Sequence, residues 1–342
     1  MILKRVWTLP PAENWIVDEI CKVWHDNNPD MATPYIKNCD VIWNVANWCW
    51  RKIPIEFLQS KKVVTTIHHI VPEKWSQHEQ DDFRACDEIT DAYHVPNFHT
   101  GDFISRHTTK PIHVIPYWCD QRSWSPTLFI EGIPEQIVIS KSDNGYVMLL
   151  EKLNVSVEGA TITDALKLII RTMFNIPQDA FVIGSFQRDT EGAGISAGIF
   201  MPKLEKGPDL FCDAVEKYSK KHPNLHVVLA GWRRQYVINR LKSHNVNYSY
   251  FELPTQGRLR ALYQCLDLYP VTSRYEGGPQ ALIECGGMGI PVVSRNVGMA
   301  PMVLSPDAIN DDVTLATPEI PNVERFKLPR GFDAYRELFN EI

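Results

Sequence analysis

The stretch SRYEGGPQALIECGGMGIPVVS, residues 273–294, decides the fold. Gly277 and Gly278 permit tight backbone geometry and close approach of a ligand, and the proline that follows them suits the first position of a helix. The pattern predicts a turn leading into a helix whose N-terminus, with free N–H groups and a positive dipole end, faces an anion. Seven residues separate Glu276 from Glu284. Glu276 therefore stands at the mouth of this helix, and Glu284 lies more than one turn inside it.

The chain on either side alternates short apolar runs with helix-like segments, which is typical of an α/β fold with a parallel sheet covered on both faces. Ligands of such folds bind beyond the carboxyl ends of the strands. Strands are predicted at 40–46, 61–70 and 111–118 in the first half, and at 181–186, 225–231, 246–251, 266–273 and 290–294 in the second. Helices are predicted between the later strands at 209–221, 235–243, 257–264 and 279–288.

The length of 342 residues exceeds what one hydrophobic core usually organises, so two domains of about 150 residues each are expected. The boundary is placed inside the mixed segment 121–178. This gives an N-terminal domain over 1–150 and a C-terminal domain over 151–325. The last part, 326–342, holds a helix-like pattern that we expect to pack back across the first domain.

Composition excludes several classes of partner. The net charge of −6 argues against nucleic acid, since phosphate backbones are held by a surplus of Lys and Arg. Membrane docking through a basic face is poorly supported as well, because residues 1–120 hold twelve Lys and Arg against sixteen Asp and Glu. The sequence has neither a signal-peptide pattern nor an 18-residue apolar run, so we expect a cytoplasmic protein. Eight scattered cysteines and the histidine spacing predict no disulfide and no metal site.

Residues 273–294 resemble the E-x7-E motif of family-4-like retaining glycosyltransferases of GT-B architecture. The resemblance extends upstream through GSFQRD (184–189), PKLEKGPDLFCDAV (202–215) and LHVVLAGW (225–232), and covers most of 180–305. It implies two Rossmann-like domains facing each other across a central cleft, with the donor site in the second. The first half matches only loosely.

The resemblance also implies roles for individual residues. Arg188 and Lys206 would hold the diphosphate of a nucleotide-sugar donor, together with the backbone at Gly277 and Gly278. Fixed cations in a partly dry cleft stabilise the charge that develops on such a leaving group. Glu276 would meet the transferring sugar and Glu284 the ribose.

In the first half, the resemblance assigns His68 to the donor sugar, across the cleft from Glu276. Side chains alternate along a strand, so only one of His68 and His69 is expected to reach the site. One departure puts the acceptor side in doubt, because TLPPAENW (8–15) stands where the family has a glycine-rich loop. Trp15 and Trp75, near predicted strand ends, are candidates for stacking on a sugar acceptor.

The resulting hypothesis is transfer of a hexosyl-type sugar to a carbohydrate or glycoconjugate hydroxyl, with retention of anomeric configuration and with no cofactor. The chain lacks a D-x-D motif, so no metal is expected to bind the diphosphate. Front-face attack is favoured within this family inference, because no carboxylate is convincingly placed as a covalent nucleophile. Two alternatives stay open: a catalytically inactive binding module with the same fold, and a sugar-nucleotide epimerase or phosphorylase on the same scaffold.

Overall fold

The computed structural model describes residues 3–10, 12, 16–126, 138–142, 145–149 and 162–342. Its first half is a sheet of five parallel strands in the order β1-β2-β3-β4-β5, with helices between them. The central strands are buried on both faces, as expected for a parallel sheet. The elements are β1 (Val6–Thr8), α1 (Ile16–Asn27), β2 (Val41–Asn44), α2 (Ile55–Ser60), β3 (Lys62–Thr66), α3 (Gln77–Ile89), β4 (Ala92–Val95), α4 (Phe98–Ile104) and β5 (Ile112–Val114).

Two short strands within the mixed segment, β6 (Val138–Ser142) and β7 (Gly145–Leu149), pair antiparallel. The second half follows them. Its elements are α5 (Ile162–Met173), β8 (Phe181–Ser185), α6 (Pro208–Lys221), β9 (Leu225–Ala230), α7 (Gln235–Ser243), β10 (Asn247–Phe251), α8 (Gln256–Gln264), β11 (Tyr269–Val271), α9 (Gln280–Met288), β12 (Val292–Ser294) and α10 (Ala300–Val303).

The strands of the second half lie in the order β10-β9-β8-β11-β12. Backbone ladders join β8, β9 and β10, and a separate ladder joins β11 to β12. A parallel bridge between Ile183 and Leu268 connects the two parts. The ladder is interrupted there because Pro270, at the centre of β11, has no N–H to donate. The chain reverses its winding direction at β8, and the crevice between β8 and β11 is therefore a topological switch point.

The last helix, α11 (Asp333–Glu341), packs on the sheet of the first half. The ring of Phe339 lies 5.2 Å from that of Trp24 and 5.3 Å from that of Trp43. Tyr335 lies 5.5 Å from Trp43 and 4.8 Å from the His94 ring. All five side chains are buried. The chain therefore crosses from the first half to the second and returns.

All eight cysteines are buried, and none forms a disulfide bond. Among the described residues no three His, Cys, Asp or Glu side chains are grouped so that they could hold a metal ion. The helices of the described ranges are too short or too polar to cross a membrane.

The packing of α11 predicts a large stability loss for Phe339→Ala. Removing this fully buried ring leaves a cavity between Trp24 and Trp43, and large-to-small changes of this kind cost about 3–5 kcal/mol. Urea denaturation measures the change in the free energy of unfolding. The control is Glu337→Ala on the exposed face of the same helix, for which a change within about 0.5 kcal/mol is expected. Equal losses in the two variants would show that α11 is not docked on the first sheet.

Candidate active site

The switch point brings together two loops of the second half. After β8 the chain runs through Gln187 and a long hairpin to Lys206, and after β11 it runs through Ser273 to Glu276. The Gln187 side chain donates to the carbonyl of Lys206 (2.8 Å), and the Ser273 hydroxyl oxygen lies 3.2 Å from the side-chain oxygen of Gln187. Both loops are thus fixed to each other at the carboxyl edge of the sheet, where α/β folds bind their ligands.

Lys206 and Glu276 form an ion pair at this edge. The Lys206 ammonium donates to one Glu276 oxygen (2.7 Å), and the Ser273 hydroxyl donates to the other (3.0 Å). The two charged side chains are only 20% and 12% exposed, so water screens their interaction less than it screens a surface pair. The pair is a partly desolvated charge site that a ligand phosphate or hydroxyl can enter by exchanging with one partner.

The residue after Lys206 must be glycine. Gly207 has a left-handed φ of 59°, and a Cβ there would lie 2.0 Å from the backbone oxygen of Thr272. This close approach lets the Lys206 loop lie directly on the strand end after β11. The helix α6 starts immediately afterwards at Pro208, so its N-terminus lies at the same edge of the sheet.

The glycine pair of the Glu276 turn packs against the first half. A Cβ on Gly277 would lie 2.4 Å from the carbonyl oxygen of His68, and one on Gly278 would lie 2.5 Å from the Met299 sulfur and 3.0 Å from Tyr117. Gly277 is therefore required because the two halves touch through backbone at this point, whereas Gly278 packs against the side chains of Met299 and Tyr117. The helix α9 begins at Gln280, so the proline before it is the N-cap rather than the first helical residue.

His68 lies at the end of β3, and both of its ring nitrogens have partners within the protein. Its Nε2 bonds to the carbonyl of Val45 (2.9 Å), and its Nδ1 bonds to the Tyr117 hydroxyl. A carbonyl only accepts, so Nε2 carries the hydrogen and Nδ1 accepts from Tyr117. Burial lowers the pKa of His68 to about 3. The ring is consequently neutral at physiological pH, and neither nitrogen is free to take a proton.

His69, not His68, faces the space beside Glu276. A cavity of about 150 Å³ is lined by His69, Phe103, Tyr275, Glu276 and Val297, among other residues. Burial, followed by the nearby positive charge of Lys206, lowers the pKa of His69. His68 and His69 contact different parts of the structure, and of the two it is His69 that lines this cavity.

A larger open hollow, about 620 Å³, lies at the opposite end of the first sheet, around Lys61 and Lys110, away from these residues.

Glu284 lies on α9 and is not among the residues that line the cavity. It accepts a hydrogen bond from the hydroxyl of the buried Tyr263. Burial raises the pKa of Glu284 to about 7, and the hydrogen bond from Tyr263 opposes that shift. The carboxyl group therefore changes its charge near neutral pH. Tyr263 packs in turn on Phe186, directly after β8, with ring centroids 4.6 Å apart.

Arg188 is exposed, and no hydrogen bond or ion pair joins it to another residue of the described ranges.

Arg234, which contacts the residue after Arg188, is instead fully buried, and the sequence analysis did not identify it. It pairs with Asp189 (2.5 Å) and donates to the carbonyl oxygens of Ser185 (2.7 Å) and Ala230 (2.9 Å). It thus fixes the ends of β8 and β9. Its position in a run of two arginines gives no signal that would distinguish it from a surface charge.

Several polar contacts cross the cleft. The Lys74 ammonium of the first half donates to Glu205 (2.8 Å), and the Tyr275 hydroxyl of the second half donates to Glu73 (2.7 Å). Trp75 is packed among Phe83, Phe103 and His107 rather than standing free at the cleft. Trp15 lies outside the described residues. The cleft is narrow in this structure, and charged pairs join its two walls.

Comparison with known proteins agrees with this architecture. Residues 199–319 match the family described as Glycosyl transferases group 1. The O-antigen biosynthesis glycosyltransferase WclY of Escherichia coli is 25% identical over 186 residues, which are 53% of this chain and 46% of that protein. The alignment thus spans less than half of the curated relative.

Two solved structures show the same fold at low identity. One is Anabaena Alr3699/HepE in complex with UDP and glucose, with a TM-score of 0.59 and 12% identity over 89% of this chain and 84% of that one. The other is sucrose-phosphate synthase from Thermosynechococcus elongatus, with a TM-score of 0.53 and 13% identity over 85% of this chain and 62% of that one. The chain therefore has the α/β GT-B fold of two Rossmann-like domains, and its residues 199–319 match the glycosyl transferases group 1 family.

Proposed function

We propose that the chain is a retaining glycosyltransferase that moves a sugar from a nucleoside-diphosphate sugar to a hydroxyl of a carbohydrate or glycoconjugate acceptor. The observation that carries the proposal is the Lys206–Glu276 pair at the switch point, next to the N-terminus of α9. A lysine and a helix N-terminus together attract a diphosphate, and a carboxylate accepts hydrogen bonds from sugar hydroxyls. The family match of residues 199–319 supports the same class of reaction.

In the proposed reaction, the bond between the sugar and the diphosphate breaks while the acceptor oxygen bonds to the same carbon and passes its proton to the departing diphosphate oxygen on the same face. Negative charge then develops on the departing diphosphate. Lys206 stabilises that charge, and Arg188, which is exposed and unpaired within the described chain, joins it when the donor binds. Glu276 stays beside the sugar, and Glu284 accepts hydrogen bonds from the ribose hydroxyls. Attack on the face from which the diphosphate leaves accounts for retention without a covalent intermediate.

We further propose that the two halves part to admit the donor. The cavity of about 150 Å³ beside Glu276 is smaller than the 300–1,000 Å³ or so typical of sites that enclose a ligand of this size. Opening breaks the cross-cleft pair between Lys74, which is 57% exposed, and Glu205, which is 7% exposed and keeps its second partner, Lys203. The hinges of this motion are assigned to 121–178 and to the segment before α11.

Product analysis tests the proposed class. A thermal-shift panel of UDP, GDP and ADP, each alone and as its glucose ester, identifies the nucleotide, since a ligand at 100 times its Kd stabilises the fold by about 2.7 kcal/mol. The nucleotide sugar is then incubated with and without acceptor oligosaccharides. Release of the diphosphate that requires an acceptor, and a product of unchanged anomeric configuration by NMR, are the expected results. Tight binding without turnover would make the chain a binding module, and an altered sugar on intact nucleotide would make it an epimerase.

The Lys206–Glu276 geometry predicts that substitutions of the two partners differ. Lys206→Ala is expected to lower kcat by about 10²-fold or more, as the loss of a donor to developing charge does in other enzymes. Glu276→Gln is expected to lower kcat while free-nucleotide affinity is unchanged or higher, since Lys206 is released from its partner. Steady-state kinetics and calorimetry measure both. Lys217→Ala, on the exposed side of α6, is the matched control. Turnover within about twofold of wild type in both variants would refute the assignment.

The raised pKa of Glu284 predicts how affinity depends on pH. The ionised carboxylate accepts from both ribose hydroxyls, so affinity for the intact nucleotide sugar should fall as pH decreases through about 7. The intact donor is used because its diphosphate does not titrate in this range. Calorimetry from pH 5.5 to 8.5 measures the effect, and Glu284→Gln should remove this part of the pH dependence. Equal pH profiles for wild type and Glu284→Gln would place the ribose elsewhere.

The raised pKa of Glu284 also predicts how the stability of the fold depends on pH. The folded state holds the Glu284 proton more tightly than the unfolded chain, whose pKa is near 4.5. The resulting stability is present below pH 4.5 and is lost as pH rises through about 7. Urea denaturation across this range measures it, and Glu284→Gln should reduce this loss. If the difference in the free energy of unfolding between wild type and Glu284→Gln does not change with pH, the raised pKa of Glu284 is contradicted.

The proposal also predicts activity without a divalent metal, since Lys206 supplies the charge and the sequence has no D-x-D motif. Donor turnover in EDTA should equal that of the untreated enzyme. Loss of activity in EDTA that Mn²⁺ or Mg²⁺ restores would show that a metal binds the diphosphate.

A further inference from the structure

Asn97 is the residue of the first half that contacts the Glu276 turn most closely. It stands directly before α4, and its side-chain oxygen accepts a hydrogen bond from the backbone N–H of Thr100 (2.9 Å), which caps the helix. Its side-chain nitrogen points across the cleft and donates to the carbonyl of Glu276 (3.2 Å) and to that of Gly277. The residue is fully buried. One carboxamide therefore joins a helix of the first half to the backbone of the turn.

These two carbonyls depend on Asn97. Within the described chain no other donor reaches the carbonyl of Glu276 or of Gly277. The backbone at Gly298 packs against them on another side, since a Cβ there would lie 2.9 Å from the Gly277 oxygen and 3.3 Å from the Glu276 oxygen. A buried carbonyl that loses its donor is destabilised, so we expect the turn to change its conformation if the carboxamide is absent.

The side chain and the backbone of Glu276 are thus held by different halves of the molecule. Lys206 and Ser273, both in the second half, hold the carboxylate, and Asn97, in the first half, holds the carbonyl. We propose that Asn97 is a positioning residue for the transfer, which sets the orientation of Glu276 only when the cleft is closed. This inference rests on the proposed function. It links closure of the cleft to completion of the active site.

The structure offers variants that separate capping from positioning. Ser and Asp are as good at helix N-caps as Asn, so Asn97→Ser and Asn97→Asp keep the cap of α4. Neither presents an N–H group to the turn, and Asp places a carboxylate oxygen against two carbonyl oxygens. The matched control is Ser76→Ala, which removes the cap of α3 in the same half without contacting the turn.

Asn97→Asp is expected to lower kcat by about tenfold or more, equivalent to about 1.4 kcal/mol in the barrier, and Asn97→Ser is expected to lower it less. The Kd of the free nucleoside diphosphate should stay within about twofold of wild type, because the residues assigned to it lie in the second half. In a Glu276→Gln background, Asn97→Ser should have little further effect on kcat, since it acts through Glu276. Ser76→Ala should keep wild-type kcat.

Hydrogen exchange tests the positioning without any turnover. The amides of Gly277 and Gly278 should exchange faster in Asn97→Asp than in wild type, whereas those in Ser76→Ala should not change. Unchanged exchange at these glycines would overturn the inference. If the wild-type enzyme is active, a kcat of Asn97→Asp within twofold of wild type would also overturn it. So would an Asn97→Ser substitution that lowers kcat as much in the Glu276→Gln background as in the wild-type background. A wild-type enzyme without transfer would instead refute the proposed function, and exchange would still decide the role of Asn97.

Discussion

The backbone contact between Gly277 and His68 is the constraint on which the site depends. Any side chain at Gly277 would collide with the His68 carbonyl, so the Glu-Gly-Gly turn brings the backbones of the two halves into direct contact. The same contact places Glu276 at the closed cleft, with its charge paired inside the second half and its carbonyl held by the first. The Glu-Gly-Gly turn thus links closure of the two halves to the position of the Glu276 carboxylate.

Charge pairing reduces the cost of burying ionised groups at the closed cleft. Lys206 and Glu276 neutralise each other, and Lys74 and Lys203 pair with Glu191 and Glu205. Buried or half-buried charges that lack a partner are costly, so the protein pairs them until a substrate replaces one member. A diphosphate is suited to replace Glu276 as the partner of Lys206, because it brings negative charge to the same cation. Under the proposed function, donor binding and rearrangement of this pair are one process.

Local sequence patterns predicted much of the second half. The predicted strand over 181–186 is β8, and the predicted helix over 235–243 has the bounds of α7. These elements have strong apolar periodicity, and packing does not override it. In contrast, β4 was missed because its apolar run contains His94, which is buried only because Thr66 and the carbonyl of Ile115 satisfy its ring nitrogens. The predicted strand over 111–118 is cut to three residues, β5, between Pro111 and Pro116.

The contacts that position the candidate active site were harder to predict from local sequence patterns. The glycines and glutamates of the turn stand close together in the sequence, so their pattern is visible. The partners that position them are not: Asn97 lies 179 residues from Glu276, and nothing around it marks a cap that also crosses a cleft. Tyr263, which holds Glu284, and the buried Arg234 belong to the same class of long-range partners. The choice between His68 and His69 depended on Tyr117, which lies 49 residues further along the chain.

The crystal structure of the protein with a bound nucleotide sugar tests the central claim most directly. The account predicts that the diphosphate contacts the Lys206 ammonium beside the N-terminus of α9. The ribose hydroxyls should lie within hydrogen-bond distance of Glu284, and the sugar should lie between Glu276 and the strand end at His68 and His69. A nucleotide bound away from the β8–β11 switch point, with the Lys206–Glu276 pair still intact, would contradict it.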